Sequence, residues 1–562
     1  MSTEAMGKEW KSWTEFEAIE VLDPTTLELL RKQGARIIST RWVLTDKNSS
    51  LRSLHPDIQL LAKARLVVIG CQEDTDEIRG DSPTCSLLAV HLICSTTASR
   101  GWQLCKLDAK NAYLQAGGIQ RTLLLRMPRP PPPGVSPDTI CRALGSIYGT
   151  KDAGRGFWLY LKINFEEQGF THSKLENALF FFHNSSGRLT AIAGTHVDDV
   201  LLGYDPDCPE VVLAIKTLRE KIEMTEELPP FRYCGRDFTR LRDGHGIKID
   251  MKSTVMALGE IVISKVRRST PSERLVPEEI TELRSTLGSL GWIARQLRAD
   301  ICVDVSLKAQ RVGIATVQDL VETNRIVVKC VADPDFALVF HAFPTMMAFS
   351  AADSSFGNVD SEYGEKTKSQ AGYIIGLSEL GFAGGVDSRI HVIEWQSASI
   401  KRVVRATLAA EGYGVTEGAE ALDWLRNVIQ EMTHPNMSLS EVADAYRIPA
   451  LWLSDSKSLV DVVQKDAGQP SDKRLRIVIA NLKQMLLEAG TTFAWIDTLV
   501  MLADGLTKLD ADTTILIRAL CSGMYCIQAT EEALEQKERT RQSRQRAKAV
   551  RDTAKEAATG SR

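Results

Sequence analysis

Two adjacent aspartates, Asp198 and Asp199, lie between two apolar stretches in the segment THVDDVLLGYD. Tight hairpins usually need Asn-Gly or Asp-Gly to reach positive φ, so an Asp-Asp turn followed by valine is poor turn chemistry. A third carboxylate, Asp108, ends the apolar stretch WQLCKLD and is followed by the polar, helix-starting AKNAYLQ. Taken without Asp108, the aspartate pair is also consistent with an exposed turn.

These three carboxylates together predict a particular chemistry. A strand-end aspartate that faces an Asp-Asp hairpin can hold two divalent cations about 3.5 to 4 Å apart. In such a site one cation activates an attacking hydroxyl and the other stabilises a triphosphate leaving group. We therefore expect Asp108, Asp198 and Asp199 to form a metal site for nucleotidyl transfer.

A second set of acidic residues lies in the C-terminal third of the chain. Asp353 closes a predicted strand, Glu411 lies in a predicted helix, Asp455 ends a strand and Asp504 opens a helix. Carboxylates brought together at strand ends repel one another, so their convergence requires a cation. Each residue alone is also consistent with a surface or capping role, and Asp353 could form a turn with Ser354.

The composition limits the class of protein. A chain of 562 residues with 44% hydrophobic content is too long for one core and predicts two or three domains. The net charge of −4 gives no general support for nucleic-acid binding, which would need a local groove. The eleven cysteines are scattered singly, as reduced core thiols would be. Without signal-peptide features or an uncharged apolar run of about 18 residues, we expect an intracellular, non-secreted protein with no membrane contact.

The elements that must position these acids change character along the chain. Residues 34–251 mix short apolar strands with amphipathic helices without regular βαβ spacing, which predicts an α+β fold. The proline-rich residues 128–137 should form an exposed extended loop. Residues 252–339 are helical in pattern. Residues 347–508 predict three strands, a helix, a strand, a helix and a fifth strand, which is a compact α/β unit.

The segments KLDAKNAYL, IYGTKDAGRGFW and HVDDVLL occur in the order and spacing of copia-type LTR retrotransposon reverse transcriptases. In that family the corresponding motifs are DV-x-x-AFL, YGLKQAPRAW and YVDD. The chain therefore resembles the reverse transcriptase and ribonuclease H region of a copia-type Pol polyprotein. By this resemblance Asp108, Asp198 and Asp199 are the polymerase metal ligands.

The resemblance also implies residues that contact the nucleotide. Tyr113 falls where such polymerases keep an aromatic ring against the sugar, so that it excludes a 2′-hydroxyl; it is otherwise a core aromatic residue. The segment LAKARLVVIG resembles the family's YKARLVAKG, and Lys63 and Arg65 would then contact the triphosphate. On the residues alone, without the resemblance, Lys63 and Arg65 are interpreted as part of a solvated face. Lys151 and Arg155 resemble template or nucleotide contacts.

The second acidic set resembles ribonuclease H. The segments TLAAEGY and ADGLTK stand where the copia-type family has ST-x-EAEY and AD-x-LTK. By this resemblance Asp353, Glu411, Asp455 and Asp504 are catalytic metal ligands, and each of the two active sites takes two Mg²⁺ or Mn²⁺ ions. The departures are His196 for tyrosine before Val-Asp-Asp, Ala409 for the first glutamate of EAEY, and Gly154 for proline. None of them changes a metal ligand.

The implied fold is a right-hand polymerase with fingers, palm and thumb, followed by an α/β ribonuclease H-like domain. The expected domains are a helical leader (1–35), fingers and palm (36–251), a helical thumb or connection (252–345), the ribonuclease H-like domain (346–510) and a basic C-terminal tail (511–562). The arginine-rich end of that tail is either solvated or helps to hold phosphates.

The implied function is RNA-directed DNA synthesis with degradation of the copied RNA. The implied partners are an RNA template, a DNA primer, RNA-DNA hybrid, deoxynucleoside triphosphates and other products of the same polyprotein, in a cytoplasmic particle or the nucleus. Without a CCHC knuckle, protease motif or integrase zinc site, we expect a fragment or processed product of the element. The alternatives are an inactive relic that only binds nucleic acid, or a protein that keeps only the nuclease. All seven carboxylates are present, which favours activity.

Overall fold

The structure is a computed structural model that describes residues 2–48, 52, 57–73, 78–119, 121–360, 366–438, 440–441, 447–465, 470–488, 490–539 and 542. The chain divides into two compact units. The first comprises Met1–Leu297, Ala315–Pro344 and Trp424–Arg447, and the second comprises Arg298–Ile314, Thr345–Asp423 and Ile448–Arg562.

Both compact units contain strands and helices. The strands are β1 (Ile19–Val21), β2 (Ile37–Asp46), β3 (Ala62–Val68), β4 (Gln103–Ala109), β5 (Leu124–Arg126), β6 (Ile140–Ala143), β7 (Phe170–His172), β8 (Leu179–His183), β9 (Leu189–His196), β10 (Asp199–Tyr204), β11 (Met224–Glu227), β12 (Phe231–Tyr233), β13 (Arg236–Arg240), β14 (Ile247–Asp250), β15 (Ala337–Phe340), β16 (Met347–Asp360), β17 (Lys366–Ser378), β18 (Ser388–Ser399), β19 (Ala450–Ser454), β20 (Thr491–Trp495) and β21 (Met524–Tyr525). The α-helices are α1 (Ser2–Glu15), α2 (Pro24–Lys32), α3 (Leu87–Arg100), α4 (Ala112–Gln115), α5 (Ala153–Glu167), α6 (Pro209–Lys221), α7 (Lys252–Met256), α8 (Lys265–Arg268), α9 (Pro277–Gln296), α10 (Cys302–Gln310), α11 (Val317–Ala332), α12 (Thr407–Thr433), α13 (Lys457–Gln464), α14 (Lys473–Glu488), α15 (Asp504–Thr507) and α16 (Thr514–Ser522).

The N-terminal elements of the first unit join a five-stranded sheet in the order β1-β6-β5-β2-β3. Trp13 of α1 is fully buried in a core that includes Leu66 of β3. Asp23 begins α2, because its Oδ1 accepts the backbone N–H groups of Thr25 and Thr26 at 2.9 and 3.1 Å. The leader predicted as one or two amphipathic helices is therefore two helices separated by the short strand β1.

A six-stranded sheet in the order β11-β4-β10-β9-β8-β7 lies at the centre of the first unit. On one face, Phe165 of α5 packs on Phe180 of β8 with ring centroids 4.8 Å apart. On the other face α3 approaches closely, because a Cβ on Gly203 of β10 would lie 1.9 Å from Thr97 Oγ1 and one on Gly194 of β9 would lie 2.7 Å from Ile93 Cδ1. The sheet carrying the first acidic set is thus held from both faces.

The region after this sheet contains the helices α7, α8, α9 and α11 and a four-stranded sheet in the order β12-β13-β14-β15. The sequence pattern predicted only helices for residues 252–339. The structure differs from this prediction at β15, which is a strand that pairs antiparallel with β14. All four residues of β15 are buried. A short, wholly apolar run has no periodicity that separates a strand from a helix, which is why the sequence did not reveal it.

The second unit contains a mixed sheet in the order β20-β19-β16-β17-β18-β21. The strands β16, β17 and β18 are antiparallel neighbours, whereas β19 and β20 run parallel to β16. The predicted order of strands and helices is present, with one additional helix, α13, before α14. Residues 514–525, at the start of the expected tail, form α16 and β21, and the arginine-rich residues 540–541 and 543–562 lie outside the described residues.

The architecture confirms the predicted fold class: an α+β region followed by an α/β unit of the ribonuclease H-like type. Among the helices that the structure describes, none is long and apolar enough to cross a membrane.

Candidate active sites

The β9–β10 hairpin brings the first acidic set together. Strand pairing puts Asp199 of β10 directly opposite Asp108 of β4, and Asp198 lies in the turn just before Asp199. Directly opposed residues of antiparallel strands project from the same face, with Cβ atoms about 4.5 to 5.5 Å apart. The backbone N–H of Ala109 also donates to the carbonyl oxygen of Asp198 at 3.0 Å. The three aspartates therefore lie at one end of one strand pair.

The turn itself differs from the expected Asp-Asp turn. Because His196 pairs with Asp199, the two central turn residues are Val197 and Asp198. Val197 has a φ of 58°, a left-handed conformation that β-branched residues rarely adopt. Such a conformation costs about 1 to 3 kcal/mol and is maintained only where surrounding structure enforces it. The strained residue directly precedes the two aspartates of the hairpin.

The electrostatics of this set fit a divalent cation. Burial raises the pKa of Asp199 to about 6; Lys106 opposes the shift, and Asp198 and Asp108 increase it. The Lys106 Nζ lies 3.7 Å from Asp199 Oδ1 and 3.3 Å from Glu227 Oε2. Clustered carboxylate oxygens are the ligands that Mg²⁺ and Mn²⁺ prefer in proteins. The donor set of Asp108, Asp198 and Asp199 is therefore chemically suited to either ion.

A cavity of about 260 Å³ opens beside Asp198, and Arg65, Tyr113 and Tyr148 line it with Ala112 and Val197. The rings of Tyr113 and Tyr148 meet edge to face with centroids 4.9 Å apart. The Arg65 guanidinium lies 5.6 Å from the centroid of the Tyr148 ring. Burial raises the pKa of both tyrosines, that of Tyr148 to about 12, so both hydroxyls are protonated. The cavity thus combines a carboxylate, a cation and two rings.

The other predicted nucleotide contacts differ in position. Lys63 is close enough to the acidic set to interact with it, because Asp198 and Asp108 oppose the lowering of its pKa by burial and by Arg65. Lys151 does not line the cavity in the described part of the chain, and its backbone N–H donates to Glu73 Oε2 at 3.5 Å.

Arg155 is also outside the residues that line this cavity. Its Nη1 pairs with Asp81 Oδ2 at 2.7 Å, and its guanidinium lies 5.7 Å from the Trp158 ring centroid. The ion pair uses one of the donors of the guanidinium, so the position of Arg155 does not test its predicted contact with a template.

The second acidic set converges in the second unit. Asp353 lies within β16, Glu411 is in the first turns of α12, and Asp455 directly follows β19. One ligand oxygen from each lies within 4.8 Å of the others, and no other three acidic or histidine residues among those described approach as closely. Asp353 Oδ1 and Glu411 Oε2 are buried without a hydrogen-bond partner among the described residues. Two buried carboxylate oxygens without donors fit a divalent cation.

Burial raises the pKa of Asp353, and Lys508 opposes this shift. Burial also raises the pKa of Glu411, and the charges of Asp353 and Asp455 raise it further. Without a cation these neighbouring carboxylates therefore hold protons that isolated ones would lose. Thr498 Oγ1 donates to Asp455 Oδ2 at 2.8 Å and fixes one side of the cluster.

Asp504 joins the cluster through Lys508. The Lys508 ammonium donates to Asp504 Oδ1 and lies 3.2 Å from Asp353 Oδ2, while Thr507 Oγ1 donates to the same Asp353 oxygen. Although burial opposes the charge of Lys508, the two aspartates raise its pKa, so it remains a cation. Asp504 is not one of the three residues with the closest ligand atoms. Lys508 thus bridges the two aspartates.

Four side chains of these sites were not identified from the sequence: Lys106, Tyr148, Thr507 and Lys508. Tyr148 lies within IYGTKDAGRGFW, and Thr507 and Lys508 lie within ADGLTK, so the motifs contained them without indicating a role. Lys106 precedes Asp108 by two positions, and alternate residues of a strand share a face. That periodicity is the signal that could have identified Lys106.

Comparisons with known proteins agree with this geometry. Residues 26–260 match the family described as reverse transcriptase (RNA-dependent DNA polymerase). The retrovirus-related Pol polyprotein from transposon RE2 of Arabidopsis thaliana is 25% identical over 420 residues, which is 71% of this chain and 27% of that protein. The corresponding polyprotein from transposon RE1 of the same plant is 24% identical over 412 residues, 70% of this chain and 26% of that protein.

Solved structures are more distant in sequence. The foamy viral protease-reverse transcriptase, in complex with double-stranded DNA, is 11% identical to this chain with a TM-score of 0.45. The match covers 78% of this chain and 63% of the foamy viral chain. LC11-RNase H1, in complex with an RNA/DNA hybrid, is 13% identical to this chain with a TM-score of 0.20. The match covers 28% of this chain and 93% of the RNase H1 chain.

The predicted resemblance to copia-type retrotransposon Pol proteins is confirmed by the reverse transcriptase family match over residues 26–260 and by these two relatives. The chain spans about a quarter of the length of these curated relatives, 27% and 26%.

Proposed function

We propose that the chain is an RNA-directed DNA polymerase with an attached ribonuclease that cleaves the RNA strand of an RNA-DNA hybrid. The observation that carries this proposal is the pairing of Asp108 with Asp199 across adjacent strands, with Asp198 in the intervening turn. Few structural roles would require three carboxylates at one strand end beside a cavity that also contains a cation and two rings.

In the polymerase site, Asp108, Asp198 and Asp199 would hold the two Mg²⁺ or Mn²⁺ ions. When bound, these ions would lower the pKa of the primer hydroxyl and neutralise charge on the triphosphate. Arg65 would bind a phosphate oxygen through its forked N–H donors. Tyr113 would lie against the sugar, where its ring blocks a 2′-hydroxyl and selects deoxynucleotides.

Lys63 and Lys151 complete the proposed nucleotide contacts. The interaction of Lys63 with Asp198 and Asp108 supports its role in binding the nucleotide. For Lys151 the role requires movement of the side chain towards the triphosphate, since it does not line the described cavity.

In the nuclease site, Asp353, Glu411, Asp455 and Asp504 would hold the ions that activate a water for attack on the RNA strand. The two buried carboxylate oxygens without donors, on Asp353 and Glu411, support this assignment. Lys508 keeps Asp353 and Asp504 close to each other through its ion pairs.

The substrates we propose are an RNA template, a DNA primer, their hybrid and deoxynucleoside triphosphates, held through backbone and 2′-hydroxyl contacts without sequence readout. Other products of the same polyprotein are the proposed protein partners, in a cytoplasmic particle or the nucleus. We propose fingers and palm for residues 36–251, after a leader (1–35), and a thumb or connection for 252–345. The nuclease domain would be 346–510, followed by the basic tail (511–562).

Primer extension tests the polymerase. The purified chain would be given a primed RNA template, deoxynucleotides and Mg²⁺ or Mn²⁺, beside an Asp198→Asn, Asp199→Asn double variant. We expect extension by the wild type and its loss in the variant. A wild type that binds hybrid normally but extends nothing would contradict the proposal and favour the inactive relic.

Hybrid cleavage tests the nuclease separately on the same preparation. We expect RNA cleavage by the wild type and by the Asp198→Asn, Asp199→Asn variant, and none by an Asp353→Asn variant. Cleavage without extension by the wild type would favour the protein that retains only the nuclease.

A further inference from the structure

The N-terminal helix α1 contacts both chain segments that form the nucleotide cavity, although it precedes residues 26–260 that match the polymerase family. Trp13 anchors the helix in the core beneath the cavity, where it packs with Leu66 and Leu114. Leu66 follows Arg65 and Leu114 follows Tyr113. The helix is therefore fixed against the direct neighbours of two cavity residues.

Glu9 is the buried acidic residue of this helix, with 8% of its surface exposed. Its Oε1 accepts the backbone N–H of Leu66 at 3.1 Å. Burial raises the pKa of Glu9, while this hydrogen bond and the charges of Lys63 and Arg65 favour its ionised form. The carboxyl is also close enough to Tyr148 to act on its hydroxyl.

The Arg65 guanidinium needs an anchor of this kind. Its Nε is buried without a hydrogen-bond partner among the described residues, so the ring of Tyr148 and nearby charges must hold it. A charged group that is partly removed from water is stabilised by a nearby opposite charge. Glu9 interacts with the charge of Arg65 and accepts the backbone N–H of the next residue, Leu66, so it can hold the strand that carries Arg65.

A second contact links α1 to the other segment of the cavity. The Asn111 amide Nδ2 donates to Ser12 Oγ at 3.2 Å. Asn111 has a φ of 49° and directly precedes Ala112 and Tyr113, which line the cavity. The position of α1 thus affects Arg65 and Tyr113 through separate hydrogen bonds.

We infer that Glu9 is a positioning residue for nucleotide binding: it holds β3, and with it Arg65, in the geometry that receives the triphosphate. This inference rests on the polymerase function proposed above. It makes α1 a part of the nucleotide site. Because Glu9 is not among the residues that line the described cavity, its effect is on nucleotide affinity, with no contact to the reacting atoms.

The test compares Glu9→Gln with the wild type in the full chain. Glutamine keeps an oxygen that can accept the Leu66 N–H, but it removes the negative charge of Glu9 that interacts with Arg65. The matched control is Glu4→Gln on the same helix, because Glu4 is exposed and pairs only at the surface with Lys8 at 2.7 Å. Ser12→Ala is a second variant, which removes the acceptor of Asn111 and leaves Glu9 in place.

The readout is the Kd for dATP on a complex with an RNA template and a chain-terminated primer in MgCl₂, measured beside the Kd for the primer-template and the unfolding temperature. We expect Glu9→Gln to weaken dATP binding about five-fold, because the charge near Arg65 is lost while the acceptor for the Leu66 N–H remains. We expect Ser12→Ala to weaken it about two-fold, because the hydrogen bond from Asn111 is lost. Primer-template affinity and the unfolding temperature should not change, and Glu4→Gln should match the wild type.

An unchanged Kd for dATP in Glu9→Gln would overturn the inference. So would an equal loss of dATP and primer-template binding with a lower unfolding temperature, because that pattern indicates a general structural role. A wild type that binds dATP but extends no primer would refute the proposed polymerase, while the Kd comparison would still decide the role of Glu9. A wild type that binds no dATP would refute both.

Discussion

Asp108 and Asp199 are direct partners across the antiparallel pair of β4 and β10, and Lys106, two positions from Asp108 on the same strand, lies 3.7 Å from Asp199. The pair is far apart in sequence and adjacent in the sheet. Because burial and the two neighbouring aspartates raise the pKa of Asp199 to about 6, its charge is held at an energetic cost that a divalent cation would remove.

Asp199→Asn should lower the rate of primer extension about 100-fold or more, because the metal ligands supply several kcal/mol of charge stabilisation. It should not lower the unfolding temperature, since it removes repulsion and Lys106 still has Glu227 as a partner. Single-nucleotide incorporation and thermal unfolding measure the two effects. Asp207→Asn, at an exposed position, is the control, and a variant of Asp199 with wild-type turnover would contradict the metal-ligand role.

Tyr113→Ala should raise the incorporation of ribonucleotides relative to deoxynucleotides about ten-fold or more, because the space against the sugar opens. Tyr113→Phe keeps the ring, which packs edge to face on Tyr148, and should keep the discrimination. Incorporation kinetics with paired ribo- and deoxynucleotides give the ratio. If the phenylalanine variant lost as much selectivity as the alanine variant, the hydroxyl and not the bulk of the ring would be the selecting group.

Lys508→Met should destabilise the metal-free protein by about 1 to 2 kcal/mol, because Asp353, which is 1% exposed, loses its cationic neighbour. The effect is small because the Lys508 side chain is 38% exposed, so solvent screens its charge. Saturating Mn²⁺ should stabilise both the wild type and the variant, since a ligand at a hundred-fold excess over its Kd stabilises the folded state by about 2.7 kcal/mol. Thermal unfolding in chelator and in Mn²⁺ measures this.

The control for that experiment is Lys465→Met, which removes only a surface pair with Asp461. A Lys508→Met variant as stable as the wild type in chelator would show that the lysine does not balance the charge of Asp353. No stabilisation of either protein by Mn²⁺ would show that the acidic set does not bind this ion.

His183→Gln should make stability less dependent on pH between about pH 7 and pH 5. His183 Nε2 is 3.0 Å from the carbonyl oxygen of Met432, so Nε2 is the ring nitrogen that carries the proton. The other ring nitrogen, Nδ1, is buried and has no hydrogen-bond partner among the described residues. Burial lowers the pKa of His183 below its usual value. The unfolded chain therefore binds more protons, and His183 makes the wild type lose stability as pH falls through about 6.5.

The measurement for His183 is the unfolding temperature across that pH range. Glutamine keeps an N–H donor for Met432 and cannot be protonated, so its curve should be flatter than that of the wild type. His245→Gln, at an exposed position, should follow the wild type. Parallel curves for His183→Gln and the wild type would contradict a buried neutral His183.

Much of the architecture could be predicted from local patterns. Alternating apolar stretches marked the strands that contain or precede Asp108, Asp199 and Asp455, because a strand buried on one or both faces has a recognisable apolar pattern. The strand β15 and the helix α13 were missed, since short segments have too few residues to show a period. The turn at Val197 was also mislocated, because its left-handed φ is imposed by strand register and not by the residue type.

The sequence by itself determined which residues can do chemistry: the two acidic sets, their order along the chain and the motifs that contain them. Only the tertiary structure decided which side chains accompany them. Lys508 bridges Asp353 and Asp504, Tyr148 joins Tyr113 at the cavity, and Glu9 accepts the backbone N–H of Leu66, next to Arg65. These relationships join segments that are distant in sequence, because strand register and helix packing bring them together. The spacing of a motif shows only which residues are neighbours along the chain.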